Sequence, residues 1–153
     1  MNVNTDRIER QIFLKAPRQR VWRALTDPKE FGQWFRVQLT SGFAAGQRAS
    51  GQITYQGYEH IRFAVTVEQL IPERLFSWRW TPNAIDPDKD YSGEPTTLVV
   101  FELQEAPGGT LLKVTESGFD RLPAERRQEA YRGNEGGWTA QMENIEKHVS
   151  STL

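Results

Sequence analysis

The chain has 153 residues, 37% of them apolar and 25% charged, with a formal net charge of −1. That is enough for one domain with a substantial core, and the composition is globular rather than disordered. The balanced charge gives no general attraction to nucleic acid or an anionic membrane, and the absence of cysteine excludes disulfides, thiolate catalysis and cysteine-ligated metals.

The first residues, MNVNTDRIER, lack the apolar stretch of a secretory signal. No run approaches the roughly 20 apolar residues of a membrane span. A cytoplasmic protein without membrane insertion is the expectation. In residues 7–14, RIERQIFL, Ile8, Ile12 and Leu14 alternate while Arg10 breaks the face, which reads as an imperfect strand. Pro17 suits the first turn of a helix, and Val21, Ala24 and Leu25 recur at helical spacing. Asp27 is placed to cap a second short helix, with Pro28 at its first position and Glu30 as reciprocal partner of a capping box. Phe31, Trp34 and Phe35 give that helix an apolar face.

Beyond residue 36 the period changes. Gly42, Gly46, Gly51 and Gly57 read as turns around SGQITYQ. Ile61, Phe63, Val65 and Val67 lie on one face of a long strand over 60–71, and Pro72–Glu73 reads as a tight turn. The next strand, LFSWRWTP at 75–82, sets Phe76, Trp78 and Trp80 on one face and Arg79 on the solvent side. Residues 82–95 form a polar loop with three prolines, longer than an ordinary hairpin connection. Two strands, TTLVVFEL and TLLKVTES, follow around Pro107–Gly108–Gly109. Trp138, Met142, Ile145 and Val149 then form the apolar stripe of a terminal helix. Gly133, Gly136 and Gly137 predict a kink or break near 133–137.

Segregated strands and helices indicate an α+β fold with a curved antiparallel sheet and a long C-terminal helix. Several blocks then resemble a known family: Ala16–Pro17 and Val21 through Pro28, Phe31 with Trp34–Phe35, Pro72 through Trp78, Gly109 through Phe119, and Gly137–Trp138 with Met142 and Ile145. In order and spacing they resemble the heat-shock protein 90 ATPase activator homologues, within the START-like (SRPBCC, Bet v-type) helix-grip superfamily. The resemblance covers roughly residues 7–150, so one START-like domain over 1–153 is expected. The double glycine common before the family's second strand is replaced here by Ala45–Gly46–Gln47. The eukaryotic co-chaperones of this family carry an additional N-terminal domain, and the expectation here is the helix-grip domain alone.

The resemblance implies a helix-grip fold with a hydrophobic cavity between sheet and terminal helix, holding a small apolar or aromatic molecule. Trp34, Phe35, Trp78, Trp80, Phe101, Glu116, Tyr131, Trp138 and Met142 are its expected contacts. Each of these rings reads equally as ordinary core. Glu116 continues the face of Leu112 and Val114. Facing inward, it is a candidate general acid or base, with Tyr55 as possible partner, for a cyclase, dehydratase or hydrolase; otherwise it is solvated or paired with an arginine. A third reading is interaction with a chaperone ATPase, which rests on the family resemblance alone. His60 and His148 form no paired ligand motif, and no phosphate loop or nucleophile elbow is present. No metal or cofactor is therefore expected. AERRQEAYR reads as a solvated helical face, its acids offsetting its bases.

Overall fold

The computed structural model describes residues 6–86 and 88–151. Strand β1 (Arg7–Leu14) leads into helices α1 (Arg18–Thr26) and α2 (Pro28–Phe35). Strands β2 (Val37–Leu39), β3 (Arg48–Ile53), β4 (Arg62–Ile71), β5 (Leu75–Trp80), β6 (Thr97–Ala106) and β7 (Gly109–Ser117) follow, then α3 (Ala124–Ser151). The sheet order is β1-β7-β6-β5-β4-β3-β2, every pair antiparallel. The chain therefore meanders from β2 to β7 and closes against β1, leaving β1 and β2 as edges. A bulge between Val67 and Gln69 in β4 adds local bend. The curved sheet grips α3: this is the α+β helix-grip fold expected from the sequence. No helix among the described residues is long and apolar enough to cross a membrane.

Period-2 alternation decides which face of the sheet is buried. Phe63, Val65 and Val67 of β4, Phe76 and Trp78 of β5, Val99, Phe101 and Leu103 of β6, and Leu112 and Val114 of β7 are all buried. Ala130, Trp138, Met142, Ile145 and Val149 of α3 belong to the same core cluster. On α2, Phe31 stacks on Phe35 at 4.7 Å and meets Trp78 edge-on at 5.9 Å. Trp34 sends its indole N–H to the Ala24 carbonyl of α1 at 2.7 Å.

Asp27 caps α2 as expected, accepting from the Glu30 N–H at 3.0 Å with Pro28 at the first helical position. The reciprocal half of the box does not form, because the Asp27 N–H bonds the Arg23 carbonyl instead. The Glu30 carboxylate turns to Arg20 (2.7 Å), Arg23 (2.8 Å) and His148 (2.9 Å), tying α1, α2 and α3 together.

Two sequence expectations are corrected here. Helix α3 runs unbroken through 133–137. Each glycine costs about 1 kcal/mol in propensity, but the fully packed stripe on either side outweighs that. Gly51 belongs to β3 rather than to a turn, and β2 passes so close that an added Cβ would lie 2.3 Å from the Gln38 carbonyl oxygen. Strand β2 is only Val37–Gln38–Leu39, too short for its alternation to stand out in the sequence.

Candidate functional site: a split in the sheet beside the terminal helix

The β4–β5 ladder ends at Thr66 and Arg79. Ahead of that pair, Arg62–Val65 stay bonded to β3 alone, while the chain after Trp80 swings into the connection towards β6. The sheet therefore opens at this end, and a cleft of about 920 Å³ occupies the opening. Its lining takes residues of both parities from β4, Phe63 and Val65 as well as Ala64 and Thr66. The space thus passes from the inner face of the sheet through the split to the outer face.

Phe35, Phe63 and Trp80 form the aromatic wall, and Trp80 stands 6.1 Å from Phe63 ring to ring. Opposite them, α3 presents Gly133, Asn134, Gly137, Ala140 and Gln141. A Cβ added at Gly137 would meet nothing within 4 Å, so this glycine widens the cleft. Tyr55 and Tyr58, 5.5 Å apart and about half exposed, stand at the lip. The connection over 81–96 supplies the remaining side through Asn83, Ile85 and Tyr91.

That connection is clamped by a residue the sequence reading set in solvent. Arg126, in the first turn of α3, is only 4% exposed. Its Nε donates to Glu94 at 2.9 Å and its Nη2 to the Pro82 carbonyl at 2.6 Å, and its guanidinium lies 4.8 Å from the centre of the Tyr91 ring. Gly133 completes the docking: an added Cβ would lie 2.9 Å from the Asn83 side-chain oxygen. Composition alone made AERRQEAYR look solvated, because its acids and bases balance. Only the returning loop selects Arg126 for burial.

Glu116 faces inward and is fully buried. It is neither solvated nor paired with an arginine. Its carboxylate accepts from Trp80 Nε1 (2.8 Å), Trp138 Nε1 (2.8 Å), Thr97 Oγ1 (2.5 Å) and Asn134 Nδ2 (2.9 and 3.1 Å). Register explains the meeting. Thr97 is opposite Trp80 on β5, and Val99, two residues on, is opposite Glu116 on β7. Asn134 and Trp138 are one helical turn apart on α3. A carboxylate has about four lone-pair sites, and all are taken. As arranged, Glu116 holds the walls of the cleft and leaves no acceptor open to a substrate.

The remaining sequence candidates divide between wall and interior. Phe35 and Trp80 line the cleft. Trp34, Trp78, Phe101, Trp138 and Met142 are buried behind it. Trp138 stands between sheet and helix, 5.7 Å from Phe101 and 6.1 Å from Trp80. The Trp78 indole N–H has no acceptor among the described residues, and Phe31, Phe63 and Phe35 approach it edge-on. Tyr131 lies away from the cleft, bonding the Arg7 carbonyl at 3.0 Å and meeting Phe119 at 5.2 Å. Burial and then Glu135 push its phenol up, with Arg10 partly opposing them. As cleft residues Gly133, Asn134 and Gly137 escaped the sequence reading, which took the two glycines only as a sign of a kink; their four-residue spacing beside an amide was the available signal.

The described residues contain no group of three or more His, Cys, Asp or Glu side chains placed to hold a metal ion. His60 is exposed, and His148 belongs to the Glu30 cluster.

Comparison with known proteins gives the same architecture. Protein MLL2253 from Mesorhizobium loti is 24% identical, with a TM-score of 0.76 over 96% of this chain and 98% of that one. The Aha1 dimer from Colwellia psychrerythraea is 17% identical, with a TM-score of 0.70 over 94% and 95%. CalU16 from Micromonospora echinospora is 20% identical, with a TM-score of 0.65 over 98% and 82%. At these identities the likeness is one of fold. No curated protein matches the sequence. The family model described as "Activator of Hsp90 ATPase homolog 1-like protein" matches residues 15–150, and the chain belongs to that family.

Proposed function

We propose that this protein is a binding module for a small apolar or aromatic molecule held in the cleft between the split sheet and α3. The observation that carries the reading is the cleft itself. About 920 Å³ of space is walled by Phe35, Phe63 and Trp80 and faced by the bare backbone of Gly137. Its size is in the usual range of small-molecule sites, and its make-up, apolar walls with a few fixed polar groups, is theirs too. The Glu116 cluster supports the reading, since it fixes both indoles without using any group that a guest would need.

An acid–base enzyme built on Glu116 has less support, because the carboxylate is already filled by four side chains. The family match also brings a chaperone-directed reading, which is checked by adding the protein to a purified heat-shock protein 90 ATPase and measuring turnover.

The binding reading is tested with N-phenyl-1-naphthylamine, a neutral three-ring dye that brightens on leaving water. Saturable brightening is expected with the wild type and not with Gly137→Phe, whose new ring fills the cleft without meeting a neighbour at Cβ. Equal binding by both proteins would remove the cleft as the site.

A further inference from the structure

The charge lining the cleft is lopsided in a way the whole chain is not. The protein carries 19 basic and 20 acidic side chains, yet the lining holds four arginines and one acid. That acid, Glu94, is already paired with Arg126 at 2.9 Å and Lys89 at 3.4 Å. Of the arginines, Arg79 pairs with Glu68 at 2.8 Å. Arg36, Arg48 and Arg62 are exposed and make no ion pair among the described residues, and Arg36 lies 5.9 Å from the centre of the Tyr55 ring at the lip.

Backbone register brings three of these charges to one side. Arg48 is opposite Thr66, and Thr66 is opposite Arg79, so Arg48 and Arg79 flank Thr66 on neighbouring strands. Neighbouring strands are about 4.8 Å apart, which sets these two Cα atoms roughly 10 Å from each other. Arg62, four residues before Thr66 on β4, shares its face. Phe63 and Val65 point the other way, into the interior, where the half-buried Trp80 packs against the core. The aromatic wall is therefore on the inner side of the split and the unneutralised guanidinium groups on the outer side. Apart from the paired Glu94, the acids of the adjoining connection do not enter the lining: Asp86 accepts from the Asp88 N–H and Asp90 from the Ser92 N–H.

From this arrangement, and resting on the cleft-binding function proposed above, we infer that the ligand is an anionic amphiphile. Its apolar ring system sits against Trp80 and Phe63. Its carboxylate, sulfonate or phosphate group reaches through the split to Arg48 and Arg62. Guanidinium groups suit such oxyanions because their paired N–H donors match two oxygens at once. Cations without acid partners on one face of the sheet also raise the local anion concentration at the mouth. Asn134 adds a second polar point. Its amide nitrogen is turned to Glu116, which leaves its carbonyl oxygen as the free acceptor on a cleft-lining side chain.

A matched pair of dyes tests this. 8-Anilinonaphthalene-1-sulfonate has the rings of N-phenyl-1-naphthylamine plus one sulfonate. At low salt the wild type is expected to bind the sulfonated dye about tenfold more tightly than the neutral one, a ratio modest enough for exposed cations. Added salt should erode that preference and leave the neutral dye unaffected. In the Arg48→Gln/Arg62→Gln variant the preference should fall to near unity with the affinity for the neutral dye retained. Both side chains are exposed and unpaired, so the fold should persist; a far-ultraviolet circular dichroism spectrum and an unchanged neutral-dye affinity verify it. Equal affinity for the two dyes in the wild type, or a preference that survives the double substitution, overturns the anionic inference and leaves the cleft reading intact. Undiminished binding of both dyes by Gly137→Phe overturns both.

Discussion

Trp80 and Trp138 both direct their indole N–H groups at Glu116, at 2.8 Å each. With Thr97 and Asn134 they surround one carboxylate with neutral donors from β5, β6 and α3. Such a cluster is stable only while the acceptor stays, since each buried donor left without a partner costs about 1–3 kcal/mol. Glu116→Gln keeps the shape but turns an amide NH₂ towards donors. We expect it to lower stability by about 3 kcal/mol in urea titration. The indole N–H proton resonances of Trp80 and Trp138 should shift together in the same variant. A loss below about 0.5 kcal/mol would mean that the cluster does not hold the two walls.

Helix α3 shows why its three glycines differ. Gly133 admits Asn83, Gly137 opens the cleft, and Gly136 has nothing within 4 Å of an added Cβ. Gly136→Ala should therefore raise stability by about 1 kcal/mol, the ordinary propensity gain. Gly133→Ala should lose that gain by pushing against Asn83. Denaturant midpoints of the two variants separate the cases. The connection over 81–96 depends on the same helix through Arg126. Removing this buried guanidinium leaves Glu94 with Lys89 alone and two backbone carbonyls without their donor. Arg126→Ala should cost about 3 kcal/mol. It should also speed amide exchange in residues 82–95 more than in β6 and β7.

Two glutamates hold α3 at two levels, Glu116 at Asn134 and Glu30 at His148 near its C-terminal end. The two helix positions are about 21 Å apart along the axis. The Glu30 cluster makes the stability of the protein sensitive to acid. Burial pushes its carboxyl up, but hydrogen bonds from His148 and Arg20, the Arg20 charge and the Arg23 hydrogen bond outweigh it, and the result is lowered from 4.5. A carboxyl lowered in the folded state stabilises above its unfolded value, and that contribution is lost as pH falls through the folded value. Wild-type stability should therefore decline below about pH 4.5. Glu30→Gln should be less stable at neutral pH with a shallower acid limb. Parallel pH profiles for the two proteins would contradict this.

What the linear chain settled is whatever depends on spacing along it. Alternation over 63–67, 76–80 and 112–114 set the inward face, and the stripe from Trp138 to Val149 set the buried side of α3; that Glu116 follows its strand inward was decided by the donors that meet it there. Asp27–Pro28 set the junction of α1 and α2. These features are local: side-chain period and capping act within a few residues. Folding decided the rest, because it turns on partners far apart in sequence. Arg126 is buried because a loop some forty residues earlier returns to it. Gly133–Gly137 stay helical because the packed stripe outweighs three weak propensities. The cleft exists because the β4–β5 ladder stops at Thr66 and Arg79, and the end of a ladder belongs to two strands at once.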